Sequence, residues 1–248
     1  NALQFISIMK KKDNKYKIIG IIQARMGSKR LPNKMACYLG NYPIIDWVIQ
    51  RSKKSKLLQK YVLATSTKTE NDYLIERAKK YSIDSYRGSE DNVLSRFVEI
   101  SIQENADIIV RICADNPFID PIEIDRLIEF FKSNKCEYSF NHQNRLDGGY
   151  ADGFGAEIFT SDLLYYINDQ TLNKSHREHV TKYIWDNKTM FKIKPLKSPK
   201  KINYPLYKFD VDTIQDKFFL DNLVSSGISI DSDTKSIINL YKSLILLR

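Results

Sequence analysis

The sequence predicts an α/β fold with a mostly parallel sheet and helices on both faces. Short apolar runs typical of strands alternate with segments whose apolar residues recur at helical spacing. Helices of this length between strands imply right-handed crossovers, which leave successive strands parallel. The chain has 248 residues, which is enough for one large domain with a modest second lobe.

The predicted helices each have a recognisable start. The first begins at Pro43, whose fixed φ suits a first turn, and the second follows Thr69. The third carries its apolar face from Val93 onward, and the fourth starts at Pro121. The predicted strands between and beyond them cover residues 18–23, 61–64, 85–87, 107–113, 154–159, 191–196 and 207–211.

Residues 135–205 break this alternation with glycines, lysines and less regular strands, and we expect them to form an inserted lobe. The rest of residues 17–248 is predicted to be a single domain behind a basic extension of residues 1–16. The aromatic side chains of so small a lobe must bury against the main domain or a second subunit, and closed dimers are the commonest assembly. These side chains are Phe140, Tyr150, Phe154, Phe159, Tyr165, Tyr166 and Trp185.

The net charge of +9 comes from two lysine clusters, since residues 1–17 carry +4 and residues 186–208 carry +6. Bidentate recognition of phosphates and bases prefers arginine, so we interpret the lysines as solvated surface and expect no nucleic-acid partner. No apolar run approaches the ~20 residues of a membrane helix, so no membrane partner is expected. Cys37, Cys113 and Cys136 share no C-x-x-C spacing, which is typical of a reducing compartment and predicts a cytoplasmic protein.

The loop after the first predicted strand, residues 23–34, is strongly basic. It reads QARMGSKRLPNK, in which four cationic side chains surround one glycine. Backbone N–H groups of a bent loop, together with arginine and lysine side chains, can cradle a polyphosphate. Neither G-x-G-x-x-G nor the Walker A pattern is present, so this is neither of those phosphate-binding loops. A solvated basic loop is the alternative interpretation.

Two aspartates follow predicted strands. Asp115 comes after residues 107–113, and Asp212 comes directly after residues 207–211. If both strands are parallel members of one sheet, both carboxylates lie at the edge where the basic loop lies. Two carboxylates facing a phosphate-binding loop suit Mg²⁺, which uses one or two carboxylates plus substrate phosphates. The alternatives are a turn before Pro117 for Asp115 and a helix cap for Asp212.

Residues 22–34, which read IQARMGSKRLPNK, resemble the signature loop of a group of cytidylyltransferases. The group contains CMP-KDO synthetases, CMP-sialic acid synthetases and spore-coat polysaccharide cytidylyltransferase-like proteins, and the last are most similar. The resemblance extends in the same order from about residue 17 to 219 and implies a Rossmann-like nucleotidyltransferase fold. Its further motifs are residues 62–66 (VLATS), 87–91 (RGSED), 93–94 with Arg96, 111–120, 175–181 (SHREHVT) and 211–213 (VDT).

The resemblance also implies roles for individual residues. Arg25, Lys34, Asp115 and Asp212 would be catalytic, with Asp115 and Asp212 as the Mg²⁺ ligands. The nucleotide-binding residues would be Ala24, Arg25, Gly27, Ser28, Arg30 and Lys34 in the basic loop, with Ala64, Thr65, Arg87, Gly88, Ser89 and Asp91 near the base and ribose.

The acceptor side is less closely matched, because residues 154–157 read FGAE where the family often has a further acidic residue. The residues expected to bind an anionic acceptor are Asp152, Glu157, Arg177, His179 and Asp210.

A zinc site formed by His142, His176 and His179 is a further interpretation of this region. It is disfavoured, because the family-like segment requires only Arg177, Glu178 and His179.

The implied reaction is attack of an acceptor oxygen on the α-phosphorus of CTP with release of pyrophosphate, in a homodimer. The acceptor would be a sugar acid, a sugar phosphate or another small anion used in surface polysaccharide biosynthesis. One alternative is a guanylyl- or uridylyltransferase acting on a sugar phosphate. A second is a non-catalytic protein that binds nucleotides or nucleic acid.

Overall fold

The computed structural model describes residues 16–246 and is built around one seven-stranded sheet. Its strands are β1 (Ile18–Gln23), β4 (Lys60–Ser66), β5 (Asp84–Gly88), β6 (Ile108–Cys113), β7 (Tyr138–Phe140), β8 (Glu157–Thr160) and β9 (Ile193–Pro195). A separate antiparallel ribbon joins β2 (Tyr38–Leu39) to β3 (Tyr42–Pro43). The order across the sheet is β5-β4-β1-β6-β8-β7-β9. The first four are mutually parallel, β8 runs antiparallel to β6 and β7, and β9 is parallel to β7.

Helices cover both faces of this sheet, which confirms the predicted α/β architecture. They are α1 (Ile44–Ser52), α2 (Asp72–Lys80), α3 (Val93–Gln103), α4 (Pro121–Ser133), α5 (Ser161–Gln170), α6 (Lys174–Glu178), α7 (Lys182–Asp186), α8 (Ile214–Ser225) and α9 (Thr234–Leu246).

Alternate residues of β1 belong to two separate cores, as the twofold period of a strand requires. Ile18 and Ile22 pack with apolar residues of α1, α4, α8 and α9, whereas Ile19 and Ile21 pack with those of α3 and α5. The middle of β1 is therefore buried on both faces, as expected for a central parallel strand. Among residues 16–246, no helix is long and apolar enough to cross a membrane.

The prediction of a sheet strand at residues 207–211 is wrong. This segment is extended, but it forms only an isolated bridge between Lys208 and Asp152. Its backbone bonds two loops: Phe209 N donates to Asp152 O (2.9 Å), and Val211 N donates to Asp115 O (2.8 Å). The apolar alternation reflects burial of Phe209 and Val211, which an extended loop segment produces as well as a strand.

Residues 135–205 contribute β7, β8 and β9 to the central sheet, and β7 did not figure among the predicted strands. Their aromatic side chains are buried in this chain to different degrees. Phe140, Tyr150, Phe154 and Phe159 are each about 1% exposed, so their burial requires no second subunit. The role of this segment in acceptor binding and dimer formation stays a prediction. The predicted basic extension of residues 1–16 lies, apart from Tyr16, outside the described residues.

Candidate active site

Lys34 lies between Asp115, which follows β6, and Asp212, which precedes α8. Its Nζ is 3.3 Å from Asp115 Oδ2 and 3.6 Å from Asp212 Oδ1, and it donates to Val211 O at 2.7 Å. Asp115 follows β6, and the bond from Val211 N to Asp115 O brings Asp212 beside it. The structure therefore places the basic loop and both carboxylates together, although Asp212 follows a loop segment.

Local structure leaves the Asp212 carboxylate free of the capping role considered above. The N-terminus of α8 is closed by a capping box in which Thr213 Oγ1 accepts from Asp216 N (3.2 Å). Asp216 Oδ2 in turn accepts from the backbone N–H groups of Thr213 (2.8 Å) and Asp212 (3.0 Å). Asp216 thus satisfies the helix end, and the side chain of Asp212 faces Lys34 and Arg30.

Two more aspartates, Asp152 and Asp210, surround this pair. Gly153 (φ 108°) allows the approach, because a Cβ there would lie 2.7 Å from the carbonyl carbon of Phe209. Lys208 Nζ lies 3.2 Å from Asp210 Oδ2 and 3.9 Å from Asp212 Oδ2. Asp210 Oδ1 is buried and has no hydrogen-bond partner among residues 16–246.

Crowding of carboxylates changes their protonation. Burial, followed by repulsion from Asp210 and Asp115, raises the pKa of Asp152 to about 7. Burial also raises the pKa of Asp210, against the attraction of Lys208. Burial and the neighbouring carboxylates thus both favour the protonated forms of Asp152 and Asp210.

The chemistry of Asp115 and Asp212 fits a hard divalent cation. Their oxygens are the donors Mg²⁺ prefers, and added positive charge would relieve the repulsion that raises the pKa of Asp152. The part of the chain that the structure describes contains no group of three or more His, Cys, Asp or Glu side chains placed so that all of them could hold one metal ion. A cation held by these two carboxylates would therefore draw its remaining ligands from water and substrate phosphates.

The basic loop is folded tightly over the end of β1. Ala24 N donates to Ala64 O (3.1 Å) at the end of β4, and Met26 N donates to the side chain of the buried Asn71 (2.9 Å). Ser28 Oγ accepts from Leu31 N (3.3 Å), so this hydroxyl shapes the turn.

The two arginines of the loop are exposed and hold carboxylates. Arg30 Nη2 is 2.7 Å from Asp212 Oδ1. Arg25 is held more loosely, at 3.8 Å from Glu90 Oε1 and 3.6 Å from Glu178 Oε1. A Cβ on Gly27 would lie 2.8 Å from Glu70 Oε1, so this exposed glycine also lies close to an acidic side chain.

The predicted base and ribose residues lie beyond this loop, at the ends of β4 and β5. Ala64 and Thr65 are buried at the end of β4, and Gly88 ends β5. Ser89 Oγ accepts from Asn92 N (3.0 Å) at the start of α3, and Asp91 is exposed in the same turn.

Arg87 is already engaged with the protein. Its Nη2 donates to Lys68 O (2.7 Å) and Thr67 O (3.2 Å), and its Nε donates to Ser66 O (3.2 Å). It also pairs with Asp72. Arg87 therefore shapes the turn after β4.

Glu157 forms the centre of a buried network. It pairs with Arg111, accepts from the Tyr138 hydroxyl and accepts from Thr181 Oγ1 (2.8 Å). Burial acts to raise the pKa of Glu157, but Arg111, His142 and the hydrogen bonds from Tyr138 and Thr181 together outweigh burial and lower this pKa to about 2. Arg111 Nε also donates to Gln23 Oε1 (2.9 Å), which links the network to the end of β1.

The hydrogen bonds of Arg177 and His179 are with residues outside the aspartate cluster. Arg177 holds the C-terminal part of α5 by donating to Asn168 O (2.8 Å). His179 is exposed after α6, and its backbone N–H donates to Ser175 O (3.0 Å). His176 lies between Asp186 Oδ2 (2.8 Å) and Thr171 Oγ1 (2.9 Å).

Several charged residues of the site were missed from sequence. Lys208, Asp210 and Asp212 are spaced two residues apart, so in an extended segment their side chains lie on the same side. This spacing could have indicated that Lys208 belongs to the site. Glu90 and Glu178 lie in family-like motifs, but nothing in their spacing indicated that both contact Arg25.

A family model described as cytidylyltransferase matches residues 19–245. The spore coat polysaccharide biosynthesis protein SpsF of Bacillus subtilis is 34% identical over 204 residues, which are 80% of this chain and 82% of that protein. A 3-deoxy-manno-octulosonate cytidylyltransferase of Solibacter usitatus is 32% identical over 114 residues, 45% of this chain and 44% of that one. Among solved structures, a cytidylyltransferase from Leptospira borgpetersenii has a TM-score of 0.86 at 31% identity and covers 94% of this chain and 97% of its own.

Proposed function

Because the chain belongs to the cytidylyltransferase family and is a nucleotidyltransferase, we propose that it transfers CMP from CTP to a small anionic acceptor, releasing pyrophosphate. The observation that carries this proposal is the position of Lys34, in contact with both Asp115 and Asp212 beside a basic loop. Phosphoryl-type transfers need positioned charges more than covalent catalysis, and this arrangement supplies them.

The cations of the loop divide the work on the phosphates. Lys34, which is 11% exposed, is held rigidly enough to neutralise charge close to the reacting phosphate. Arg25 and Arg30 are more exposed and can turn toward the leaving pyrophosphate. Fixed donors of this kind stabilise charge as it develops in the transition state.

Asp115 and Asp212 would hold Mg²⁺, which when bound supplies charge neutralisation and orients the phosphate oxygens. Without that cation the two carboxylates would repel the triphosphate. A phosphate acceptor needs no proton acceptor because it is already an anion. For a sugar hydroxyl, Asp210 Oδ1 is a buried oxygen with its hydrogen-bond capacity unused within residues 16–246.

The acceptor class is supported by the relatives. SpsF is named for spore coat polysaccharide biosynthesis, and the Solibacter usitatus protein for an eight-carbon sugar acid. We therefore expect the acceptor to be a sugar acid, a sugar phosphate or a similar small anion of surface polysaccharide biosynthesis. Lys208 lies near Asp210 and Asp212 on the acceptor side and provides a cation for it.

The test is pyrophosphate release measured with CTP, GTP, UTP and ATP against sugar acids, sugar phosphates and small phospho-acids in the presence of Mg²⁺. We expect release with CTP and one acceptor class, and a loss of most of this release in Asp115→Asn. Equal turnover with GTP or UTP would assign the protein to the neighbouring guanylyl- or uridylyltransferases. Salt-dependent binding of unrelated DNA without any release would contradict the enzyme proposal.

A further inference from the structure

Arg96, in the first turns of α3, is a buried arginine with unused donors. It is 1% exposed, and its Nε and Nη1 have no hydrogen-bond partner in the described part of the chain. Its aliphatic part lies against the end of β5, where a Cβ on Gly88 would be 2.7 Å from Arg96 Cγ. Buried polar groups are almost always hydrogen-bonded, so an unpaired guanidinium at this place requires a reason.

The charged groups near Arg96 are Glu90 and Arg25. Burial lowers the pKa of Arg96, the Glu90 carboxylate opposes this effect, and the Arg25 guanidinium adds to it. Glu90 has an unused acceptor where Arg96 has unused donors: Glu90 Oε2 is buried and has no hydrogen-bond partner among residues 16–246. Arg96 and Glu90 are thus neighbours of opposite charge, each with unused hydrogen-bonding capacity toward a partner.

Arg25, in contrast, is held only loosely by carboxylates. Its distances of 3.8 Å to Glu90 and 3.6 Å to Glu178 exceed the usual 2.7–3.2 Å of a hydrogen bond. A nucleotide phosphate offers a stronger, bidentate partner to an arginine. When Arg25 turns to such a phosphate, Glu90 loses one of its two loosely held cations and keeps only the exposed Lys68, 3.7 Å away. It then becomes a competing anion beside the loop.

We infer that Arg96 is a positioning residue that takes over Glu90 when Arg25 engages the nucleotide phosphates. Arg96 Nε and Nη1 then donate to Glu90, which keeps that carboxylate from recapturing Arg25. The inference rests on the proposed function, because it takes a nucleotide phosphate as the ligand of Arg25. No covalent step is involved.

The test is CTP affinity, measured by calorimetry with the full chain in the presence of Mg²⁺. Arg96→Met leaves Glu90 with only the exposed Lys68, whose Nζ lies 3.7 Å from Glu90 Oε1, and is expected to weaken CTP binding about tenfold. Glu90→Gln in the same background removes the competing charge and should restore the affinity to within about threefold of the unmodified protein. Glu90→Gln alone should bind CTP at least as tightly as the unmodified protein.

A role in packing alone predicts a different pattern, since loss of Glu90 would not rescue a packing defect. Unmodified affinity in Arg96→Met, or a double variant as weak as the single one, overturns the inference. Arg96→Lys keeps the positive charge but lacks the forked donor geometry of the guanidinium, and it replaces Arg96→Met if that variant does not fold. Its CTP affinity should also be weakened and should be restored by Glu90→Gln. Absence of CTP binding by the unmodified protein would refute the proposed function itself, whereas unaltered binding by the Arg96 variants refutes only this inference.

Discussion

Replacing Lys34 with methionine should remove most of the activity while preserving the fold. Lys34 Nζ is 3.3 Å from Asp115 and 3.6 Å from Asp212, and at an effective dielectric constant of 20 each attraction amounts to about 5 kcal/mol before solvation. Solvent reduces this value, since Asp115 is 33% and Asp212 is 23% exposed. Loss of one fixed charge-stabilising donor typically costs about 3–4 kcal/mol of transition-state stabilisation. We therefore expect kcat/KM to fall roughly 10²- to 10³-fold.

The measurement is initial-rate pyrophosphate release at several CTP concentrations, with thermal unfolding as a check of the fold. Lys29→Met is the matched control, because Lys29 is an exposed lysine of the same loop without an ion pair to residues 16–246. The rate of Lys29→Met should stay within about threefold of that of the unmodified protein, since substitution of a single exposed charge usually has little effect. The fold of Lys34→Met should persist because Arg30 and Lys208 still face Asp212 and Asp115 is partly exposed to solvent.

A folded Lys34→Met variant with near-normal kcat/KM would refute this reasoning, because the contact with both aspartates would then have no part in turnover. An equal loss in Lys29→Met would refute it differently. That result would show that the activity depends on the total charge of the loop and not on the position of Lys34.

Asp115→Asn and Asp212→Asn should each keep the thermal transition and lose most turnover, because each removes a charged metal ligand; near-normal release at limiting Mg²⁺ would contradict that assignment. Among nucleotides, CTP should give the highest turnover, and an equal rate with UTP would contradict this. Light scattering at micromolar concentration should give a dimer mass, with residues 135–205 at the interface, and a monomer mass would contradict it. In EDTA, the unfolding free energy of the unmodified protein should fall between pH 4 and 7, because the raised pKa of Asp152, about 7, means that the folded state retains a proton that the unfolded state has lost. Asp152→Asn should lack this part of the decline, and chemical denaturation across that range checks it.

The half of the candidate site that contains the basic loop and Asp115 was predictable because it is built from local signals. β1, β4 and β6 are apolar runs of strand length, and the helices that follow them have a clear helical period. The basic loop and Asp115 each follow one of these strands directly. A rule about the carboxyl ends of parallel strands was therefore enough to bring them together.

The other half depends on contacts that no local pattern encodes. Residues 207–211 alternate as a strand does, yet they pair with two loops. Phe209 packs on Phe154 and Tyr241, with ring centroids 4.7 and 5.2 Å away, and these three residues are far apart in sequence. The engagement of Arg87 with backbone carbonyls likewise depends on how the turn after β4 folds back.

This division bears on how nucleotide and acceptor recognition can vary independently. The nucleotide side is held by the ladders of the parallel strands, whereas Asp152, Asp210 and Asp212 are held by a few backbone bonds between loops. Changes in the loop around Gly153 would alter the aspartates that we propose face the acceptor, without disturbing β1, β4 or β6. Loops tolerate such changes better than the sheet they connect. The departure from the family at residues 154–157 lies directly after this loop, where a change of acceptor would leave the triphosphate-binding loop intact.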